Sequence, residues 1–301
     1  MFDPKTRSFP YPEDTGAHYI KLRENTGEVF DRDYPYYDTS FKMRFMQGLA
    51  RALLYVLVFP VMRVRLGLRI KGRSNLRKHR AELKGGVISC SNHVHFWDYI
   101  AVMRAAVPYK TNLLAWADNL RGENRKLIRL VGGMPIPDHN VHGTIALNEA
   151  VARVLDGGWL HIYGEGSMWE YYQPIRPFKP GVAHYACRLN KPVLPMAFSY
   201  REPGSIRKKL FHQIALLTLE IGEPLFADGT LAKAEREEDL TVRCHEAVCR
   251  LAGIDPAENI YPPVYNNSRR IDYYEDRNRC PDEDRNRCPD VMVQLMLDSR
   301  R

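Results

Sequence analysis

The sequence predicts an α/β domain, a largely parallel sheet with flanking helices, preceded by a helical segment suited to a membrane interface. Three observations carry this. From about Glu82 onward, short apolar runs alternate with helix-like stretches, the pattern of a sheet whose strand ends carry the chemistry. Ahead of them stands one apolar segment with basic flanks. The 301 residues, 45% hydrophobic, 27% charged and 11% aromatic, suffice for one large domain or two small ones. That composition excludes wholesale disorder, a collagen-like chain and a polytopic membrane protein.

The elements follow in chain order. Residues 1–40 hold Pro10, Pro12, Pro35 and a tyrosine cluster at Tyr34, Tyr36 and Tyr37 without sustained period, and read as an extended arm. Residues 41–82 read as a membrane-association segment. Its stretch from Leu49 to Met62, LARALLYVLVFPVM, is short for crossing ~30 Å of hydrocarbon. A membrane-interface element is favoured over a core helix or a true span, because the flanking charge suits an anionic leaflet. In residues 83–258, strands are expected at Val87–Cys90, Asn112–Ala117, Trp159–Tyr163, Val193–Ser199 and Ile214–Ile221. Helices are expected at Tyr99–Val107, Arg121–Val131, Thr144–Leu155, Val182–Leu189 and Leu240–Leu251. Residues 259–301 read as a polar, mobile tail in which the octet EDRNRCPD occurs twice in tandem, too short a repeat to build a fold.

The formal net charge is +8, which favours an anionic partner. From Lys42 to Arg80 there are eleven basic residues and no acidic one. The charge lies beside an apolar segment rather than interleaved with exposed aromatics, which argues against nucleic acid and for a lipid surface. The six cysteines form no C-x-x-C pair and the first 30 residues show no secretory h-region, so a reduced, cytosolic setting is expected.

Three constellations carry candidate chemistry. His93 and Asp98 lie five positions apart where a strand gives way to a helix, which lets the carboxylate orient the ring and leave one nitrogen free as a general base. The spacing alone is weak. Asp98 is equally a helix cap, and His95 and Trp97 are equally core side chains. His93, His95 and Asp98 also offer a metal triad, the basis of an alternative metallohydrolase reading, although the pattern departs from the dinuclear-zinc motif His-x-His-x-Asp-His. The second is Tyr163-Gly164-Glu165-Gly166-Ser167, in which Glu165 either orients a polyol or simply occupies a turn. The third runs from Arg176 to Val182, where Arg176 and Lys179 beside a helix start make a phosphate seat or a solvated loop.

In order, Asn92-His93 to Asp98, Gly132-Gly133-Met134-Pro135-Ile136, Tyr163 to Ser167 running into Phe178-Lys179-Pro180-Gly181, and Lys191-Pro192-Val193-Leu194-Pro195 resemble the four blocks of the glycerolipid acyltransferases, specifically the 1-acylglycerol-3-phosphate acyltransferase family. The resemblance covers residues 86–200. It implies that residues 83–258 form an acyltransferase domain of phospholipid biosynthesis, moving a fatty acyl group from acyl-CoA or acyl-carrier protein to a hydroxyl of a lysophospholipid or related acceptor. It implies no metal or further cofactor and no covalent acyl-enzyme, on the cytoplasmic side of a membrane as a peripheral or monotopic protein. Carried over, His93 deprotonates the acceptor and Asp98 orients His93. Glu165, Gly166, Ser167, Arg176 and Lys179 hold the acceptor, and the region of Val193 and Pro195 lines the acceptor or acyl site. Two departures stand out. The family's second block continues into a basic residue and its third reads Glu-Gly-Thr-Arg, where this chain has Pro137-Asp138 and Ser167-Met168. Either Arg176 and Lys179 replace the missing cations, or the acceptor is not a simple glycerol phosphate. A catalytically inactive membrane-binding module is the remaining alternative.

Overall fold

The computed structural model describes residues 8–18, 25–211, 215–261 and 264–266. Both copies of the repeated octet, with Cys280 and Cys288, lie outside the described residues. So do residues 212–214, and the sequence-predicted strand from Ile214 begins instead at Leu216.

In chain order the strands are β1 (Ser8–Pro10), β2 (Arg69–Lys71), β3 (Val87–Ser91), β4 (Thr111–Trp116), β5 (Gly133–Ile136), β6 (Trp159–Tyr163), β7 (Val193–Arg201), β8 (Leu216–Ile221) and β9 (Val264–Asn266). Seven of them form one sheet in the order β2-β8-β7-β3-β6-β4-β5, and β1 pairs with β9 in a separate two-stranded sheet. The five strands from β7 to β5 run parallel, while β8 runs antiparallel to β7 and parallel to β2. The short β2 and β5 were not legible as strands; each has three or four residues and packs at a sheet edge.

The central strands are buried on both faces. Every residue of β3 and β6 is buried, as the apolar runs of a helix-covered parallel sheet require. One face packs against helices Val141–Val154, Gly181–Leu189 and Lys233–Ala252 through residues such as Leu147, Val151, Val182, Ala186, Leu240 and Val248. The other is covered by helix Asp98–Ala106 and by Leu54 and Met62 of the N-terminal helix. The expected helix at Arg121–Val131 is two short ones, Ala117–Arg121 and Arg125–Leu130, because Gly122 is extended and interrupts the ladder. The helix expected to begin at Leu240 starts seven residues earlier, at Lys233, on a polar turn that the apolar period does not reveal.

The segment Phe41–Arg65 is one continuous helix of 25 residues, passing through a π-turn at Leu54–Val58. Pro60 lacks the N–H that would close a regular turn, and the wider turn just before it accommodates that loss. At ~1.5 Å per residue the helix is about 37 Å long, enough to cross a bilayer by length and composition. Only 17% of its most apolar window is buried in the protein. Phe41, Phe45, Leu49, Leu53, Val56 and Leu57 are all exposed, and the first four recur at every fourth residue on one face.

The basic run around this helix is less uniform than its sequence. Arg51 is buried and donates to the carbonyl of Thr111 at 2.6 Å. Arg73 donates to the carbonyls of Arg104 and Ala105 at the end of the helix Asp98–Ala106, where a cation complements the helix dipole. Lys71 and Lys78 pair with Glu220 and Glu223. Lys42, Arg44, Arg63, Arg69, Arg77 and Arg80 remain exposed.

The N-terminal arm packs onto the domain. Tyr11 is buried, stacks on Trp169 with ring centroids 5.3 Å apart, and donates its hydroxyl to the carbonyl of Glu170 at 2.6 Å. Tyr36 is buried as well and donates to the carbonyl of Phe30. The cysteines Cys90, Cys187, Cys244 and Cys249 are free thiols.

Candidate active site

The site forms where β3 and β6 end side by side. Ser91 lies opposite Tyr163 in register, so residues 92–98 and 164–167 leave the sheet together at the carboxyl ends of parallel strands. Asn92 fixes the exit. Its side-chain amide donates to the carbonyl of Phe198 and accepts from the same residue's N–H, at 2.9 and 2.8 Å, which pins the chain to β7.

His93 and Asp98 meet: Nδ1 lies 2.8 Å from Oδ2. Asp98 is the first residue of its helix, and its Oδ2 also accepts from the N–H groups of Val94 and His95 at 3.2 and 3.3 Å. The carboxylate therefore closes the loop that precedes the helix instead of capping the helix. Its Oδ1 accepts from the hydroxyl of Tyr163. Burial alone would push the Asp98 carboxyl up, but the charge and hydrogen bond of His93, the Tyr163 hydroxyl and the charge of His95 hold it below the usual carboxylate range. An ionised Asp98 is an acceptor only, so the His93 proton resides on Nδ1. The free lone pair is then on Nε2, which has no partner among the described residues, and the side chain is 19% exposed. The imidazole lies flat on the Tyr163 ring, centroids 3.6 Å apart and planes 5° from parallel.

Behind this pair stands a buried ion pair. Glu165 Oε2 accepts from the backbone N–H of His93 at 2.9 Å and from the Arg176 guanidinium at 2.9 Å; Oε1 accepts from the Arg176 backbone N–H at 2.8 Å. Arg176 also donates to Ser167 Oγ at 2.7 Å, to the Ser167 carbonyl, and to the carbonyl of Thr15 at 2.9 Å. Its guanidinium sits 4.3 Å from the centroid of the Trp169 ring. Glu165, Ser167 and Arg176 are 2%, 3% and 0% exposed, so in this structure they face one another and not an open cleft.

Two glycines of the third block are demanded by space. A Cβ at Gly164 would fall 2.4 Å from the Phe178 ring. Gly166 has φ +73°, a left-handed conformation, and a Cβ there would strike the Lys179 stem at 2.8 Å. The backbone N–H of Lys179 donates to the Gly164 carbonyl at 2.8 Å, which draws its side chain across the Gly166 turn. Lys179 is exposed, and no carboxylate pairs with it among the described residues.

The structure thus brings His93, Asp98, Glu165, Gly166, Ser167, Arg176 and Lys179 into one neighbourhood. His95 faces elsewhere: it is buried, its Nδ1 accepts from the Trp97 N–H at 3.1 Å, and its ring meets Tyr171 edge-on. Among the described residues no three His, Cys, Asp or Glu side chains are grouped to hold a metal ion, so the triad of His93, His95 and Asp98 is not assembled. Asp138, in the position where a basic residue was expected, pairs with Arg121 at 2.5 Å. Val193 is fully buried and lies opposite Ile88, and Pro195 lies opposite Cys90, so both sit back along the sheet from His93.

Sequence reasoning missed Tyr163 as a partner of the pair, having used it only to open a Gly-Glu-Gly turn. It also missed Asn92, Trp169 and the arm residue Thr15. Chain spacing offers no signal for the contacts of Tyr163, Asn92 and Thr15, which join residues 65 to 161 positions apart.

Residues 67–199 match the sequence profile of the family described as Acyltransferase. No curated protein matches the chain significantly. Among solved structures, the chain is similar to the 1-acyl-sn-glycerophosphate (LPA) acyltransferase PlsC from Thermotoga maritima, at 16% identity and a TM-score of 0.46, over 73% of this chain and 81% of that one.

Proposed function

Because residues 67–199 match the Acyltransferase family profile, we propose that the protein moves a fatty acyl group from a thioester donor, acyl-CoA or acyl-carrier protein, to a hydroxyl of a lysophospholipid or related acceptor. The observation that supports this most is the His93–Asp98 contact, with Nε2 left without a partner among the described residues at the end of two parallel strands.

In this reading His93 Nε2 takes the hydroxyl proton as the acceptor oxygen attacks the thioester carbonyl. A C–O bond forms and a tetrahedral oxyanion develops. On its collapse the C–S bond breaks, and the departing thiolate takes the proton back from the imidazolium. Asp98 holds the reactive tautomer and stabilises the imidazolium while it lasts, as the carboxylate of a Ser-His-Asp triad does, but here the nucleophile is the acceptor itself.

Glu165, Ser167 and Arg176 act in this account through His93: the buried ion pair holds its backbone N–H, and hence the ring, in place. Lys179, exposed above Gly166, is the cation within the third block that remains free to meet an acceptor phosphate, with Gly166 giving it room to lie close. The exposed apolar stripe of Phe41–Arg65 and the cations Lys42, Arg44 and Arg63 dock the protein on an anionic bilayer, where lipid acceptors reside.

The experiment is a lipid-resolved transfer assay of the purified protein with both donor classes against mixed lysolipids. A new diacyl product that requires the thioester is expected. Thioester consumed only by hydrolysis, or not at all with any acceptor, would refute the proposal.

A further inference from the structure

We infer that Tyr163 is a positioning residue of the proposed transfer, its hydroxyl and its ring together fixing the plane and the basicity of His93. The inference rests on the reading of His93 as the general base. Two independent contacts carry it. The hydroxyl donates to Asp98 Oδ1, the oxygen that His93 does not use, so the carboxylate is held at both ends and cannot rotate away from Nδ1. The same side chain lies against the imidazole face, 3.6 Å between centroids and 5° from parallel, so the ring cannot tilt about its bond to Cβ on that side.

The residue is set up for this by the sheet. Tyr163 ends β6, where register places it beside Ser91, two residues before His93. Its ring is met edge-on by His161 at 4.6 Å, and His161 is itself tied to Ser89 Oγ at 2.8 Å and Ser91 Oγ at 3.3 Å. Burial, reinforced by the Asp98 charge and hydrogen bond, holds the phenol well above its ordinary range, so it stays a proton donor at any working pH. The titratable neighbours of the pair are Tyr163 and His161 on β6, His95 on the connecting loop, Tyr200 on β7, the Glu165–Arg176 ion pair behind the His93 backbone, and His18 of the arm.

A hydrogen bond donated to Asp98 withdraws charge from the carboxylate and makes it a weaker partner for the imidazolium.

The test is Tyr163→Phe, which keeps the ring and removes only the hydroxyl. The titration of His93 is followed by NMR, its signal assigned by its loss in His93→Gln, and the pH profile of kcat is recorded in parallel. The His93 midpoint and the acid limb of kcat are expected to move together to higher pH by about half a unit. On the plateau kcat falls about three- to tenfold at unchanged KM. Midpoint and limb both at their wild-type positions would overturn the inference, as would a change in KM alone. If Tyr163→Phe fails to fold, 3-fluorotyrosine at this one position keeps ring and hydroxyl and makes a stronger donor. It shifts the midpoint down, and an unmoved midpoint counts against the inference. The NMR midpoint reads the coupling whether or not the protein transfers acyl groups, so failure of this inference and failure of the transfer reading are separable.

Discussion

Replacing Arg176 with methionine distinguishes a positioning ion pair from a headgroup ligand. The side chain is fully buried and makes four polar contacts, to Glu165 Oε2, Ser167 Oγ, the Ser167 carbonyl and the Thr15 carbonyl. Arg176→Met removes all four and leaves Glu165 buried with only two backbone donors, the N–H groups of His93 and residue 176. Breaking one partner of a buried pair costs about 3–5 kcal/mol, against ~0.2–1 kcal/mol for an exposed one. For a chain of this size that is a fall in Tm of roughly 6–20 °C. Urea unfolding followed by circular dichroism measures it, with transfer kinetics on the same samples. We expect lower stability and lower kcat, with KM for the acceptor little changed. The double variant Glu165→Gln/Arg176→Met should recover at least ~1 kcal/mol, because no buried charge is left alone. Wild-type stability with a raised acceptor KM would refute the reasoning and make Arg176 a ligand of the headgroup.

Other consequences are equally measurable. Burial, opposed by Asp98 and reinforced by His93, lowers the His161 pKa to about 3 from an ordinary 6.5. The unfolded chain therefore binds a proton that the folded one refuses. This contribution to stability is complete above pH 6.5 and is lost as pH falls toward 3, at about 1.4 kcal/mol per unit within that window. His161→Gln should flatten the stability profile between pH 6 and 4, and an unchanged slope would contradict the assignment. Anionic vesicles should retain the wild-type protein at low salt, and the triple variant Phe45→Glu/Leu49→Glu/Val56→Glu should bind at least tenfold more weakly, since each inserted apolar side chain contributes ~1.5–3 kcal/mol. Equal retention of both proteins in a sedimentation assay would remove that helix face from the membrane contact.

How far the sequence revealed this arrangement depended on the range of the interactions involved. Strands β3 and β6 were legible because burial on both faces leaves nothing but apolar residues in them, apart from Ser89, Ser91 and His161, which satisfy one another, and β7 because its buried run from Val193 to Phe198 is apolar throughout. His93 and Asp98 were legible because their contact is local, five residues across one loop. Glu165 and Arg176 were recognised as chemistry but read as facing the acceptor. Only the packed structure shows that they face each other, eleven residues apart, and bind the backbone of His93. The basic run gave a net charge without geometry. Arg51 and Arg73 are spent on carbonyls inside the fold, a use that composition does not distinguish from a surface patch. Tyr163 escaped notice because in sequence it is one more buried aromatic at the end of a strand whose every residue is buried.

The most direct measurement is acyl transfer by wild type and His93→Ala at matched folding, using a labelled thioester donor and the acceptor that the wild type uses best. With the base gone, kcat/KM should fall by about two to four orders of magnitude, while vesicle binding and the thermal melt stay near wild type. Transfer by His93→Ala at an undiminished rate would contradict the account at its centre.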